Sequence, residues 1–158
     1  MIDVPVITRI TTQKNQSNRY NIYIDKGQGE TYGFSVDEDV LIKYHLRKGR
    51  SLDEEILQAI QNEDHFHQLY TKAVRYLSYR MRTEQEIRHY LTKNGADDEV
   101  SEKIIQRLLD KGYLNDREFA NMFVRSRMQT SLKGPTLVKN ELMAKGVVSH
   151  IAEEAVLA

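Results

Sequence analysis

The feature that most constrains this chain is that part of it occurs twice. Arg80-Met81-Arg82-Thr83 recurs as Arg127-Met128-Gln129-Thr130, displaced by about 47 positions, within the range of periods found in repeat proteins. Past an insertion around Ser131 to Gly134 the displacement becomes about 51, and Ile87, Leu91, Gly95 and Val100 align with Val138, Leu142, Gly146 and Ile151. Apolar positions and a helix-ending glycine thus recur together, which makes chance an unlikely source of the match. Small repeated units bury their apolar faces against their neighbours. The expected fold is mainly α, with tandem three-helix repeats in an elongated array.

Each repeat reads as three helices: roughly Leu69 to Arg82, Thr83 to Asn94 and Asp97 to Lys111, then Asn115 to Gln129, Pro135 to Lys145 and Ser149 onward. Ser35 with Glu38, Ser51 with Glu54 and Thr83 with Glu86 match the capping-box spacing, in which hydroxyl and carboxylate satisfy backbone donors reciprocally at a helix start. Gly49, Gly95, Gly112 and Gly146 stand where a left-handed residue closes a helix at least cost. Pro135 fits a first helical position, where its missing N–H has no intrahelical partner. Val100, Ile104, Ile105, Leu108 and Leu109 form an apolar stripe in the first repeat. The second copy reaches only Ile151, Ala155, Val156 and Leu157, so a longer relative is expected to continue into a third unit.

Ahead of the helices, Val6 to Ile10, Arg19 to Ile24 and Glu30 to Phe34 read as strands. The second alternates, with Tyr20, Ile22 and Ile24 on one face and Asn21, Tyr23 and Asp25 on the other. Gln13 to Asn18 and Gly27-Gln28-Gly29 read as the connections of a small antiparallel β-meander. The expected organisation is a meander over 1–34, a helical linker region over 35–66, and repeats over 67–113 and 114–158.

The chain has 158 residues, with Lys+Arg 23 against Asp+Glu 23, so overall charge gives no reason for indiscriminate attraction to polyanions. The balance conceals banding. Lys72, Arg75, Arg80, Arg82, Arg88 and Lys93 outnumber nearby acids in the first repeat, as do Arg125, Arg127, Lys133, Lys139 and Lys145 in the second, whereas Asp37 to Asp64 and Asp97 to Glu118 lean acidic. Such bands fit a positive strip facing phosphates or an acidic protein surface. They equally fit solvated helix faces with i,i+4 pairs. Tyr70, Tyr76, Tyr79 and Tyr90 lie among these cations, but Tyr76 and Tyr90 have the helical spacing of core residues with polar tips.

With Cys 0 there is no thiolate nucleophile or Cys-based zinc site, in keeping with a reducing compartment. No stretch approaches the roughly 20 apolar residues of a membrane span, and a cytoplasmic location is expected. His65 and His67, two apart on a helix, point away from each other and would not share an ion. Gly27-Gln28-Gly29 lacks the rest of a phosphate-binding loop. Neither a catalytic set nor a metal or cofactor is expected.

Tyr76 to Arg88, YLSYRMRTEQEIR, resembles the R-x-R-[ST]-x-x-E-[IL] signature that opens a repeat of the RecX family. Lys111 to Ala120 is similar to that family's G-[YL]-[LI]-[ND]-D-x-x-[FY]-A segment, and Lys133-Gly134-Pro135, Glu141-Leu142 and Lys145-Gly146-Val147 to its K-G-P…E-L…K-G-[IV] segment. Phe34 to Asp64, with Leu46-Arg47-Lys48-Gly49, resembles the N-terminal extension of the longer Firmicute-type members. The resemblance implies a non-enzymatic regulator, a monomer, that binds the RecA filament on single-stranded DNA and modulates recombination. Direct DNA binding is the alternative. On the matched positions it implies contacts through Arg80, Arg82, Arg88, Arg125, Arg127, Lys133, Lys139 and Lys145. Phe119 and Ala120 are expected to pack, and Asp116 to cap a helix or anchor a turn.

Overall fold

The structure, a computed structural model, describes residues 4–130 and 134–158. It divides into two compact units, Met1–Gln68 and Leu69–Ala158.

In the first unit, β1 (Val6–Gln13), β2 (Gln16–Asp25) and β3 (Glu30–Asp37) form an antiparallel sheet in the order β1-β2-β3. The alternation of β2 places Ile22 and Ile24 in the core with Ile7, Phe34 and Val36, and Tyr20 packs against them. The strands run further than their apolar stretches suggest. Only Lys14 and Asn15 turn the first hairpin, because backbone pairing continues through polar residues such as Thr11↔Asn21 and Thr12↔Tyr20. The second hairpin is closed by Asp25, whose carboxylate accepts from the Gly27 and Gly29 N–H groups at 2.7 and 3.1 Å. Both glycines have positive φ, which that turn chemistry requires.

Two expected helix starts are displaced. Ser35 is a strand residue paired with Asn21, and its hydroxyl accepts from Arg19 at 2.9 Å. The first helix, α1 (Glu38–Lys43), is capped instead by Asp37, which accepts from the Asp39 N–H. Ser51 bridges to Val6, and Asp53 caps α2 (Glu54–Tyr79) by accepting from the Ile56 N–H at 2.8 Å. In each case an aspartate nearer the first turn displaces the serine, being an equally good cap and an anion at the positive helix end. Gly49 is left-handed, with φ 92, but it closes a turn against β1 and not a helix. The left-handed residue ending α1 is His45, with φ 52.

One continuous helix, α2, replaces the linker and first repeat helix expected to meet near position 67, since no Gly or Pro interrupts residues 54–79. Its first half buries Ile60 and Asp64. Asp64 pairs with Arg19 at 3.1 Å through both carboxylate oxygens and accepts from the Asp37 N–H at 2.8 Å. This ion pair, 12% and 10% exposed, binds helix to sheet, and removing either partner would cost about 3–5 kcal/mol by leaving the other charge buried alone.

The second unit contains the rest of α2 with α3 (Glu84–Lys93) and α4 (Asp98–Asp110), then α5 (Asp116–Thr130), α6 (Pro135–Ala144) and α7 (Ser149–Leu157). These are tandem three-helix domains, and their equivalent positions behave alike. Ile87 and Val138 are fully buried, as are Leu91 and Leu142. Gly95 and Gly146 have φ 93 and 95. After α3, Ala96 N–H reaches Leu91 O and Gly95 N–H reaches Thr92 O; after α6, Val147 reaches Leu142 and Gly146 reaches Met143 in the same way. This paired closure satisfies carbonyls that a helix end would otherwise orphan.

The stripe on α4 is buried at Ile104, Ile105 and Leu108, each contributing about 1.5–3 kcal/mol. In the second domain Phe119, Ala120, Phe123, Val138, Leu142 and Ala152 form the equivalent core. Leu157, expected in that core, is 77% exposed, and Ala152 is buried in its stead. Pro135 begins α6 with Gly134 as its cap.

Candidate partner-binding surface

The two three-helix domains meet at the start of α3. Thr83, fully buried, caps that helix by accepting from the Glu86 N–H at 3.1 Å, and the Glu86 carboxylate accepts from the Thr83 N–H at 3.1 Å. The Thr83 hydroxyl also donates, at 2.6 Å, to the Lys145 carbonyl, an acceptor just past the end of α6 with no intrahelical donor. One residue on, the Glu84 N–H donates to Asp116 at 2.8 Å. At the third position Gln85 lies against Gly146, where an added Cβ would stand 2.1 Å from Gln85 Oε1. Asn115 caps α5 itself, leaving Asp116 for this junction.

The carboxylates there respond oppositely. Burial raises the Asp116 carboxyl above the ordinary aspartate value, and the charges of Glu84 and Glu86 add to it against the Glu84 N–H bond. Burial also acts to raise Glu86, but its bonds from Arg80 and Thr83 and the charges of Arg80 and Lys145 outweigh this and hold it below the usual value.

Three of the expected contact cations gather at this junction. Arg80 binds Glu86 at 2.8 Å and the Met81 carbonyl at 2.8 Å. Lys145 Nζ lies 5.9 Å from the Phe123 ring centre, and Arg127 lies 5.0 Å from the same ring while pairing with Glu141 at 3.5 Å. The other described cations make different contacts. Arg88 pairs with Glu84 and Glu102, and Lys139 with Glu153 at 3.7 Å. Arg82 lies 3.7 Å over the Tyr76 ring, itself stacked on Tyr90 at 4.0 Å, which makes these tyrosines packing surfaces. Arg125 is exposed on α5 and has no ion pair among the described residues. Lys133 lies outside the described residues. Arg80 and Arg127 also occupy different local structures: Arg80 follows α2, whereas Arg127 is inside α5. Phe119 and Ala120 are buried.

One further cluster was not visible along the chain. His67 lies 3.2 Å from Asp37 and 3.9 Å from Asp39, the only described group of three side chains spaced to share a cation. The partners come from separate elements, so no spacing rule within the sequence finds them. His65, the neighbour considered in sequence, is exposed and outside it. None of the described helices is long and apolar enough to cross a membrane.

The fold and junction define a protein of tandem three-helix domains preceded by a small β-rich domain. Residues 5–53 match the model of the regulatory protein RecX N-terminal domain, 70–108 that of the RecX first three-helix domain, and 115–156 that of the second. A regulatory protein RecX from Oceanobacillus iheyensis is 47% identical over 142 residues, covering 89% of this chain and 52% of the relative. One from Bacillus cytotoxicus is 45% identical over 154 residues, covering 94% and 57%. The chain therefore spans about half the length of these curated relatives. A crystal structure of regulatory protein RecX superposes with a TM-score of 0.81 at 35% identity, covering 98% of this chain and 73% of the other. That of RecX from Lactobacillus salivarius gives 0.59 at 36% identity, covering 60% and 62%. The chain belongs to the RecX family of regulatory proteins.

Proposed function

We propose that this chain binds the RecA filament on single-stranded DNA and modulates its activity in recombination and repair, acting as a cytoplasmic monomer. Family membership supports the regulatory role. The observation that carries the surface is the junction, where Arg80, Lys145 and Arg127 gather around Glu86 and Phe123. Two small domains docked through buried hydrogen bonds hold these cations in a fixed array, suited to a periodic, phosphate-bearing partner. Arg82, Arg88, Arg125, Lys133 and Lys139 complete the proposed contact set. The role requires binding energy alone and assigns no side chain to catalysis.

The test compares binding of the whole chain to RecA filaments assembled on single-stranded DNA with binding to the bare strand, across a salt series. Preferential filament binding, weakened by Arg80→Ala/Arg127→Ala, is expected. Equal affinity for bare DNA would replace this reading with direct DNA binding, and failure to bind either would reject both.

A further inference from the structure

Arg80, Arg88, Lys103, Arg117, Arg127 and Lys139 of the three-helix domains pair with carboxylates within the chain; three adjacent cations of one turn in the first unit do not. From Val40 to Leu52 the sequence holds Lys43, Arg47, Lys48 and Arg50 and no Asp or Glu. The acidic average over Asp37 to Asp64 conceals this block. Lys43 pairs with Glu63 at 2.8 Å, but Arg47, Lys48 and Arg50 form no ion pair among the described residues. Arg47 and Lys48 are exposed, and the half-buried Arg50 has its Nε enclosed without an acceptor.

The turn carrying them is firmly held. Arg50 N–H donates to the Arg47 carbonyl at 3.1 Å, closing the turn, with Gly49 left-handed inside it. Gly49 N–H donates to the Ile7 carbonyl at 2.8 Å, Ile7 N–H to the Arg50 carbonyl at 2.9 Å, and Leu52 N–H to the Pro5 carbonyl at 2.8 Å. Leu46 and Leu52, 6% and 0% exposed, anchor the flanks. A like-charged cluster fixed on a strand edge, with no ion pair among the described residues, keeps mutual repulsion that a polyanion relieves by replacing many small counterions.

We propose that the Arg47-Lys48-Gly49-Arg50 turn is a phosphate-contacting site for the backbone of single-stranded nucleic acid. It rests on the nucleic-acid context of the proposed function and adds, in the β-rich domain, a contact that is not among those implied by the family resemblance. The turn itself presents charge and no exposed apolar side chain, which suits phosphates better than a protein interface, whose centre is apolar.

The test uses fluorescence anisotropy of a labelled oligothymidylate with the whole chain in a salt series. Arg47→Ser/Lys48→Ser is compared with a charge-matched control, Lys14→Ser/Lys26→Ser, on the exposed hairpin turns of the same unit. The first pair is expected to weaken binding roughly tenfold at low salt and to lower the log–log salt slope by about 1.4, about 0.7 for each lost phosphate contact on a single strand. The control should bind like the parent. Equal losses in both variants, no loss at Arg47 and Lys48, or no binding by the parent would overturn the proposal, as would competition by polyglutamate as effective as that by unlabelled oligonucleotide. Filament binding measured in parallel separates the readings: a turn variant unchanged on bare DNA beside a parent that prefers filaments sinks only the turn.

Discussion

The Thr83 hydroxyl and the Lys145 carbonyl, 62 residues apart in sequence, are joined by a 2.6 Å hydrogen bond in which a helix cap also serves as the fastening between two domains. The oxygen accepts from its own helix and spends its proton on the end of the next domain's α6, so both ends are satisfied in a fully buried place. Thr83→Val keeps the volume and removes both bonds. It is expected to cost about 2–4 kcal/mol, combining a lost cap with a buried carbonyl left without a donor. Thr83→Ser should recover most of this, as read from paired urea titrations.

Gly146 makes a second, steric fastening. Its φ of 95 disfavours any side chain, and an added Cβ would also stand 2.4 Å from Gln85 Cβ. Gly112, with φ 75 and open space around it, isolates the backbone contribution. Gly112→Ala should cost about 1–2 kcal/mol for its left-handed conformation, and Gly146→Ala roughly 1–3 kcal/mol more for the overlap. Adding Gln85→Ala should restore only part of the difference, because the Cβ contact remains. Equal costs at the two glycines in denaturant titrations would reject the steric fastening.

What could be read along the chain was local. The Thr83–Glu86 box, the left-handed Gly95, Gly112 and Gly146, and Pro135 at a helix start each depend on residues within one turn. Ser35 and Ser51 failed because spacing alone cannot rank two competing caps, and the aspartates at 37 and 53 lie closer to the helix. The candidate surface was legible in residue type but not in arrangement. No periodicity reveals that Arg80 and Lys145 flank Glu86, or that Asp116 leaves its own helix to be capped by Asn115 and reaches Glu84. The three motif segments matched in sequence converge on that junction: Thr83 to Glu86, Asp116, and Lys145 with Gly146.

Asp116 and Glu86 should leave opposite marks on stability against pH. The folded Asp116 carboxyl is raised, so the native state binds more protons than the unfolded state between the ordinary and raised values, and stability falls as pH rises through that window. Glu86 is lowered; its contribution is complete above the ordinary glutamate value and is lost as pH falls through the folded one. Asp116→Asn keeps an oxygen for the Glu84 N–H and removes the first effect. The variant should match or exceed the parent at neutral pH and lose stability more steeply on acidification. Thermal melts from pH 7 to pH 3 check this, and parallel profiles would sink the assignment.

Arg80 and Arg125 separate binding from folding. Arg80 holds Glu86 in place at the capping box, so Arg80→Ala should lower stability by about 0.5–1 kcal/mol, the range of a partly exposed pair, as well as weakening filament binding. Arg125 is exposed on α5 without an ion pair among the described residues. Its alanine variant should melt with the parent, within about 0.5 kcal/mol, while filament binding weakens roughly threefold to tenfold and the loss shrinks as salt rises. The contrast is read from melts and anisotropy on the same preparations. A stable Arg125→Ala protein with parental filament affinity would remove Arg125 from the proposed surface and leave the junction cations, Arg127 of α5 among them, to carry it.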